Sequence, residues 1–495
     1  MAQENIYDLV IVGGGTAGCI LAARIAEHGI HPHTKDRLRI ALIEAGPYFR
    51  GDPRHGYGIP LRRRMFTNVS TEFRGSGRYT LRGGSMVLGG SSVTFGAQSH
   101  LPFSADYANW EYTTGVDWTE ENVKEASDEV RRVFNVHADP DEFLSDGQRR
   151  FRESARSLGY DVQPYEGAKK NCIRCGYCLS SNMCKYDAKM STLLTHVPTA
   201  ERFGVNIIPD AMAHRLVFEG KRATGVVYRQ EGQDNILRGE KILLSCGAVQ
   251  TPLLLWKSGV GPKDLLGSQT VIESPNVGRR AHCHPENYIW ALFPEPIKDG
   301  QRGWNAGSYF LHRMNEYGHD TLFVQDSGMG GLAPPHEAAA SEFAPGFGPD
   351  LKRFVDVGRR SLGRVVLWTT PKEAEGHLDE EGRLVYETDH PAVRSRLKEG
   401  IEIGIDILRN MGAAHWTPPE VLRENILTPH LASTCRAGVD PKTSVVDSHF
   451  HCHDMENLFI CDGSVLPRTS IGSLAMAIAT VATFAAQRMV EDHFS

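Results

Sequence analysis

Two stretches of this 495-residue chain combine residue types and spacings that could do chemistry. In "CIRCGYCLSSNMC", Cys172, Cys175, Cys178 and Cys184 place four of the ten cysteines close together. Soft thiolates at Cys-x-x-Cys-x-x-Cys spacing suit a short loop wrapped around several irons, with Cys184 as a fourth ligand. Four thiolates on zinc, or free thiols, are the alternatives that the spacing leaves open. In "VGGGTAGC", Gly13 suits a tight turn, Gly15 a close backbone approach to a pyrophosphate, and Gly18 close packing of helix on strand. Glu44, closing "LRIALIEAG", suits an acceptor for both ribose hydroxyls that would repel a 2′-phosphate.

These side chains need particular elements beneath them. "YDLVIVGGGTAGCILAARIAEHG" reads as an apolar, β-branched strand, a glycine turn and a helix with small residues toward the sheet; "LRIALIEAG" reads as the next strand. The interval from Gly18 to Glu44 is 26 residues rather than about 20, and the polar insert "HGIHPHTKDRL" accounts for the excess. A dinucleotide-binding βαβ unit is therefore expected at the N-terminus.

Composition narrows the function classes. A chain this long implies two or three domains, with ample core and no need of disulfide staples. The net charge of −6 offers no basic field for nucleic acid, and Arg62, Arg63 and Arg64 read as a solvated run or an anion contact. No stretch is long and apolar enough for a membrane-spanning helix. The strand pattern begins by Ile6 and leaves no room for a leader, and Cys19 and Cys246 sit in apolar surroundings like free thiols. A cytoplasmic, reducing compartment is expected, which disfavours a disulfide among the four clustered cysteines.

Further segments carry a family resemblance. "GGSMVLGGSSVTFGAQSHLP" (residues 83–102) and "GAVQTPLLLWKSGVG" (residues 247–261) resemble the two signature segments of the glucose-methanol-choline (GMC) oxidoreductases, a flavoprotein family. The likeness continues in "NVGRRAHCHP" (residues 276–285), "HLASTCRAGVDPKTSVVD" (residues 430–447) and "ENLFICDGSVLP" (residues 456–467). It implies an α/β fold, with a Rossmann-type FAD-binding domain interwoven with an antiparallel-sheet substrate domain. The expected division is 1–284 for the FAD-binding domain with a cysteine-rich insert at about 165–190, 285–428 for the substrate domain, and 429–495 for the return to the FAD domain.

The resemblance also implies FAD rather than NAD. Gly89, Gly90, Ser91 and Ser92 are expected under the flavin, Ala45 and Ala213 beside the dinucleotide with Glu44, and Asp462 and Gly463 at the pyrophosphate. Thr94 stands where some members attach FAD through histidine, and Phe95 replaces the usual asparagine, so noncovalent FAD is expected. His430 aligns with the family's active-site histidine, the base for a CH–OH oxidation in which hydride passes to flavin N5. Ser473 falls at the second active-site position, with Ser470 the alternative under a short shift. The expected substrate is a sugar, amino sugar or other polyol. An oxygen-using oxidase of a less polar alcohol and a redox-neutral hydroxynitrile lyase are the rival readings. Some family members carry a three-iron cluster with a different cysteine spacing, and a cluster here would pass electrons to an acceptor protein.

The region 285–428 mixes strand-like "RVVLWTT" and "GRLVYET" with a helix, "HPAVRSRLKEGIEIGIDILRNMG", started at Pro391 and stopped by Gly412. Residues 326–350, rich in Gly, Pro and Ala, read as a lid, a partner-facing loop or an inert loop. His449, His451 and His453 alternate as on one strand face, although the matching family strand is a variable surface strand and ordinary surface histidines are the expectation.

Overall fold

The computed structural model describes residues 6–49, 78–81, 84–175, 184, 186–298, 306–328 and 341–495. Strand Ile6–Val12 is apolar because both of its faces are covered: Leu9, Val10, Ile11 and Val12 are all buried. It lies inside a parallel set, with Ile40–Ile43 and Asn206–Ile208 on one side and Gln233–Leu244 on the other. The long strand Gln233–Leu244 changes partner along its length. Its last residues pair parallel with Leu458–Ile460, and its first half pairs antiparallel with Arg222–Gln230, which in turn pairs with Met212–Glu219. A strand from near the C-terminus thus completes the N-terminal nucleotide-binding layer.

Helix Thr16–His28 follows the first strand and packs on the C-terminal helix Leu474–His493. Gly13 has φ +99°, and a Cβ there would lie 2.5 Å from Ser245 O. A Cβ at Gly18 would lie 1.9 Å from Gly13 O, so only glycine lets helix and strand approach this closely. The 474–493 helix is apolar nearly all round, as a helix packed on several sides must be.

The second sheet has the order Arg78–Leu81, Asn425–Thr428, Glu286–Leu292, Leu362–Thr369, Leu322–Asp326, Ser308–His312 and Gln163–Pro164, with His415–Trp416 also paired to Glu286–Leu292. Its ladders are antiparallel except where Arg78–Leu81 meets Asn425–Thr428. Helix Pro391–Asn410 covers one face with Val393, Leu397, Ile401 and Leu408; His390 caps its start, and Gly412, at φ +88°, follows its end. The strand read in "RVVLWTT" lies in this sheet, whereas "GRLVYET" yields Leu384–Tyr386, which pairs with Gly376–Leu378 in a separate two-stranded ribbon. Two strands of the sheet come from residues before 285, so the domains interweave more deeply than a division at 284 and 428 expresses.

The expected alternation of His449, His451 and His453 is not present. Phe450 adopts φ +67° and stacks on Trp118 at 4.8 Å, which breaks the extended chain between them. His449 meets Asp492, His451 meets Glu456 O, and His453 meets Ser444 Oγ. Of the loop read at 326–350, residues 329–340 lie outside the described residues; Asp326 ends a strand and Gly348–Asp356 is helical. Among the described residues, no helix is long and apolar enough to cross a membrane.

Candidate active site

Sheet pairing brings together residues far apart in the chain. Residues 282–286 run alongside 427–432: His282 and Ala432 exchange both backbone hydrogen bonds, at 3.0 and 2.8 Å, and Glu286 pairs with Leu427. His284 and Glu286, two apart on extended chain, point to the same side and meet His430. His284 Nδ1 is 3.0 Å from His430 Nδ1, and Glu286 Oε1 is 2.8 Å from the same nitrogen. Glu286 is 1% exposed and His284 fully buried, while the His430 side chain keeps 20% of its surface.

The proton positions follow from the partners. Ser470 O can only accept, so His284 Nε2–H donates to it at 2.6 Å. Burial, reinforced by His430, holds His284 well below the usual histidine range, hence neutral with a lone pair on Nδ1. His430 Nδ1–H donates into that lone pair. Glu286 Oε1, though close, receives no aligned hydrogen bond among the described residues, so its contact with His430 is electrostatic. The lone pair of His430 is left on Nε2. Trp368 braces the pair: its ring stacks on His284 at 5.6 Å, and its Nε1–H donates to Ile471 O at 2.8 Å.

Loop 468–473 is anchored residue by residue. Arg468 Nη2 donates to Pro371 O and Lys372 O at 2.6 and 2.9 Å and lies 2.7 Å from His282 Nε2. His282 Nδ1 lies 2.6 Å from Thr469 Oγ1, and Ile471 N–H donates to the buried Asp106 carboxylate at 2.7 Å. Ser473 donates to Gln98 O at 3.1 Å, and it is the backbone of Ser470 that touches the histidine pair.

The nucleotide end is built as a cradle. Gly15 precedes helix Thr16–His28 with no side-chain cap, which leaves first-turn amides available, and a Cβ at Gly15 would meet nothing nearer than Ser245 O at 3.9 Å. Glu44 Oε2 accepts Gly14 N–H and Oε1 accepts Gly46 N–H, both at 2.8 Å, and each oxygen retains a second lone pair. Burial raises the Glu44 pKa against the pull of these two amides. Gly89 N–H donates to Gly14 O at 2.7 Å, which holds the second glycine loop on the first, and Gly90 lies against Gly15. Open space, free amides and a carboxylate in this order fit a pyrophosphate and a ribose.

The other expected residues divide by what their side chains already do. Ser91 is exposed, whereas Ser92 is buried, donates to Gly89 O at 2.6 Å and accepts from Thr192 N–H at 3.0 Å. Asp462 accepts from Gly247 N–H, Thr251 Oγ1–H and Ser464 N–H, at 2.8, 2.6 and 2.7 Å, so its carboxylate fixes the turn and Gly463 leaves only its backbone for a ligand. Ala45 is half-buried after Glu44, and Ala213 lies beside a register shift in its strand. Cys172 and Cys175 are exposed, Cys184 is half-buried with its sulfur accepting Ala188 N–H at 3.3 Å, and Cys178 lies outside the described residues. His284 and Glu286 were not singled out from the sequence; the alternation His282, His284, Glu286 was the available signal.

The comparisons accord with this architecture. The GMC oxidoreductase family model matches residues 7–286, and its C-terminal counterpart matches residues 386–482. A long-chain-alcohol oxidase of Arabidopsis thaliana is 25% identical, over 94% of this chain and 65% of its own length, so the chain spans just under two thirds of that relative. An oxygen-dependent choline dehydrogenase of Pseudomonas fluorescens is 24% identical over 96% of this chain and 91% of its own. Among solved structures, pyridoxine 4-oxidase from Mesorbium loti superposes with TM-score 0.74 at 21% identity, covering 98% of this chain and all of that one. With the first family model alone covering more than half of its length, the chain belongs to the GMC oxidoreductase family.

Proposed function

We propose that this chain binds FAD noncovalently and oxidises the CH–OH group of a small-molecule alcohol, with His430 taking the hydroxyl proton. The observation that carries this reading is the proton arrangement at His430: Ser470 O fixes the tautomer of His284, His284 fixes that of His430, and the basic lone pair falls on Nε2. FAD, when bound, supplies the hydride acceptor. Glu44 and the amides around Gly15 would hold the ribose and pyrophosphate, and the Gly89–Gly90 turn would lie beside them. When Nε2 takes the substrate proton, His430 becomes a cation with Glu286 2.8 Å from its other nitrogen, so the buried carboxylate stabilises the charge that forms.

The polyol expected from the sequence and the alcohols named for the relatives, long-chain alcohol and choline, are the substrate classes to compare. Anaerobic addition of one from each class to FAD-loaded protein should bleach the flavin for one class. An unbleached flavin with every alcohol, together with cleavage of a hydroxynitrile, would overturn oxidation in favour of the redox-neutral reading. The cysteine relay stands as a second proposal, supported by the N–H bond to Cys184 sulfur, a feature of ligating thiolates. Iron and sulfide in anaerobically prepared protein should accompany it, and FAD-replete protein with neither would reject it.

A further inference from the structure

The buried Glu286 has an oxygen with no aligned hydrogen bond among the described residues, 2.8 Å from His430 Nδ1 in a group of two imidazoles. We propose that His284, Glu286 and His430 form a divalent-cation site of zinc-type chemistry, and that its occupation takes His430 out of use as a base. Three potential ligand atoms, one from each residue, lie within 4.8 Å of one another. His430 Nδ1 is 3.0 Å from His284 Nδ1 and 2.8 Å from Glu286 Oε1. Around a tetrahedral zinc with bonds of about 2.0–2.1 Å, neighbouring ligand atoms stand roughly 3.3 Å apart, so these two separations need to open by only a few tenths of an ångström.

Three further features suit a cation. His284 already donates its other ring N–H to a backbone carbonyl, the outer contact that ligating histidines use to fix orientation. The ligands sit on or beside paired strands, with Glu286 opposite Leu427, so the backbone holds them in place. Two neutral nitrogens and a carboxylate make a borderline-soft set suited to zinc or cobalt rather than magnesium or calcium.

Occupation reverses the tautomer of His430. The cation takes the lone pair of Nδ1, the proton on Nδ1 moves to Nε2 through solvent, and an N–H then stands where the basic lone pair was. No net proton is released from His430 and no electron moves. Binding is independent of the reading of His430 as base; the loss of flavin reduction rests on it.

The test uses full-length, FAD-loaded protein with Cys172, Cys175, Cys178 and Cys184 all changed to serine, so that thiolates do not compete for metal. Zinc chloride should bind at one equivalent, reversibly with chelator, and Glu286→Gln should weaken binding by about tenfold or more. Cobalt(II) should show weak visible bands without sulfur-to-metal charge transfer, a readout that needs no triad variant to fold. Substrate should reduce the flavin more slowly in proportion to zinc occupancy. Absence of zinc binding, or binding unchanged in both Glu286→Gln and His284→Gln, would overturn the site. Glu286-dependent binding with an undiminished rate of flavin reduction would support the site and overturn the base assignment.

Discussion

At the scale of single residues, the site rests on groups whose partners leave them one protonation state. Removing the base tests this directly: His430→Ala should keep FAD and fold, yet lower the rate of anaerobic flavin reduction by roughly 10²–10⁴. A wild-type rate would reject the assignment. Glu44 is a different case, because its carboxylate already serves two backbone amides. Glu44→Ala should therefore release FAD on dialysis and also leave the buried Gly14 and Gly46 N–H groups without acceptors, at about 1–3 kcal/mol each. Unchanged flavin retention and unchanged unfolding midpoint would count against both roles. Glu44 was legible in the sequence because a strand and a glycine turn place it within one local unit. Glu286 was not, since it reaches His430 only through a sheet register linking residues 286 and 427.

At the scale of elements, the close contact of the first strand with the helix after it determines whether the cradle forms. A Cβ at Gly18 would meet the Gly13 carbonyl at 1.9 Å, a backbone atom rather than the end of a flexible side chain. Gly18→Ala should cost about 1–3 kcal/mol or more by overpacking, and the displaced helix N-terminus should weaken FAD binding in step. Denaturant unfolding and flavin fluorescence on the same samples check both; a stable variant with full flavin affinity would mean that the turn yields elsewhere. The elements with strong local signals were readable: the first strand and helix, the 391–410 helix with its proline start, and the 362–369 strand. What could not be read was recruitment. Arg78–Leu81 and Gln163–Pro164 join the second sheet as edge strands, and nothing in a short segment specifies its distant partner. The turn at Phe450 escaped for a related reason, because a left-handed phenylalanine is held by packing on Trp118 rather than by its own propensity.

At the scale of the whole molecule, the two halves are joined by buried polar ties as well as by apolar core. Asp106, on helix Ser104–Thr114, accepts Phe103 N–H at 2.8 Å locally and Ile471 N–H at 2.7 Å across 365 residues of chain. Among the described residues no cation pairs with it, and burial pushes its pKa from 3.8 up to about 7. Asp326, which accepts from Gly307 and Ser308 N–H, is pushed up to about 7 by the same cause. For a carboxyl raised on folding, the native state keeps a proton that the unfolded chain has lost, so its contribution to stability falls as pH rises from about 4 to about 7 and is level above that. The full shift at Asp106 corresponds to an upper bound of about 4 kcal/mol. Asp106→Asn keeps the shape but does not titrate, so the difference between wild type and variant isolates this group from every other ionisable residue. The substitution should cost more at pH 5, where the native carboxyl is protonated and well bonded, than at pH 8, where the wild type carries a buried charge. Urea unfolding of both proteins at the two pH values measures the difference, and an equal cost at pH 5 and pH 8 would show that Asp106 is already ionised throughout and that its two amides outweigh its burial.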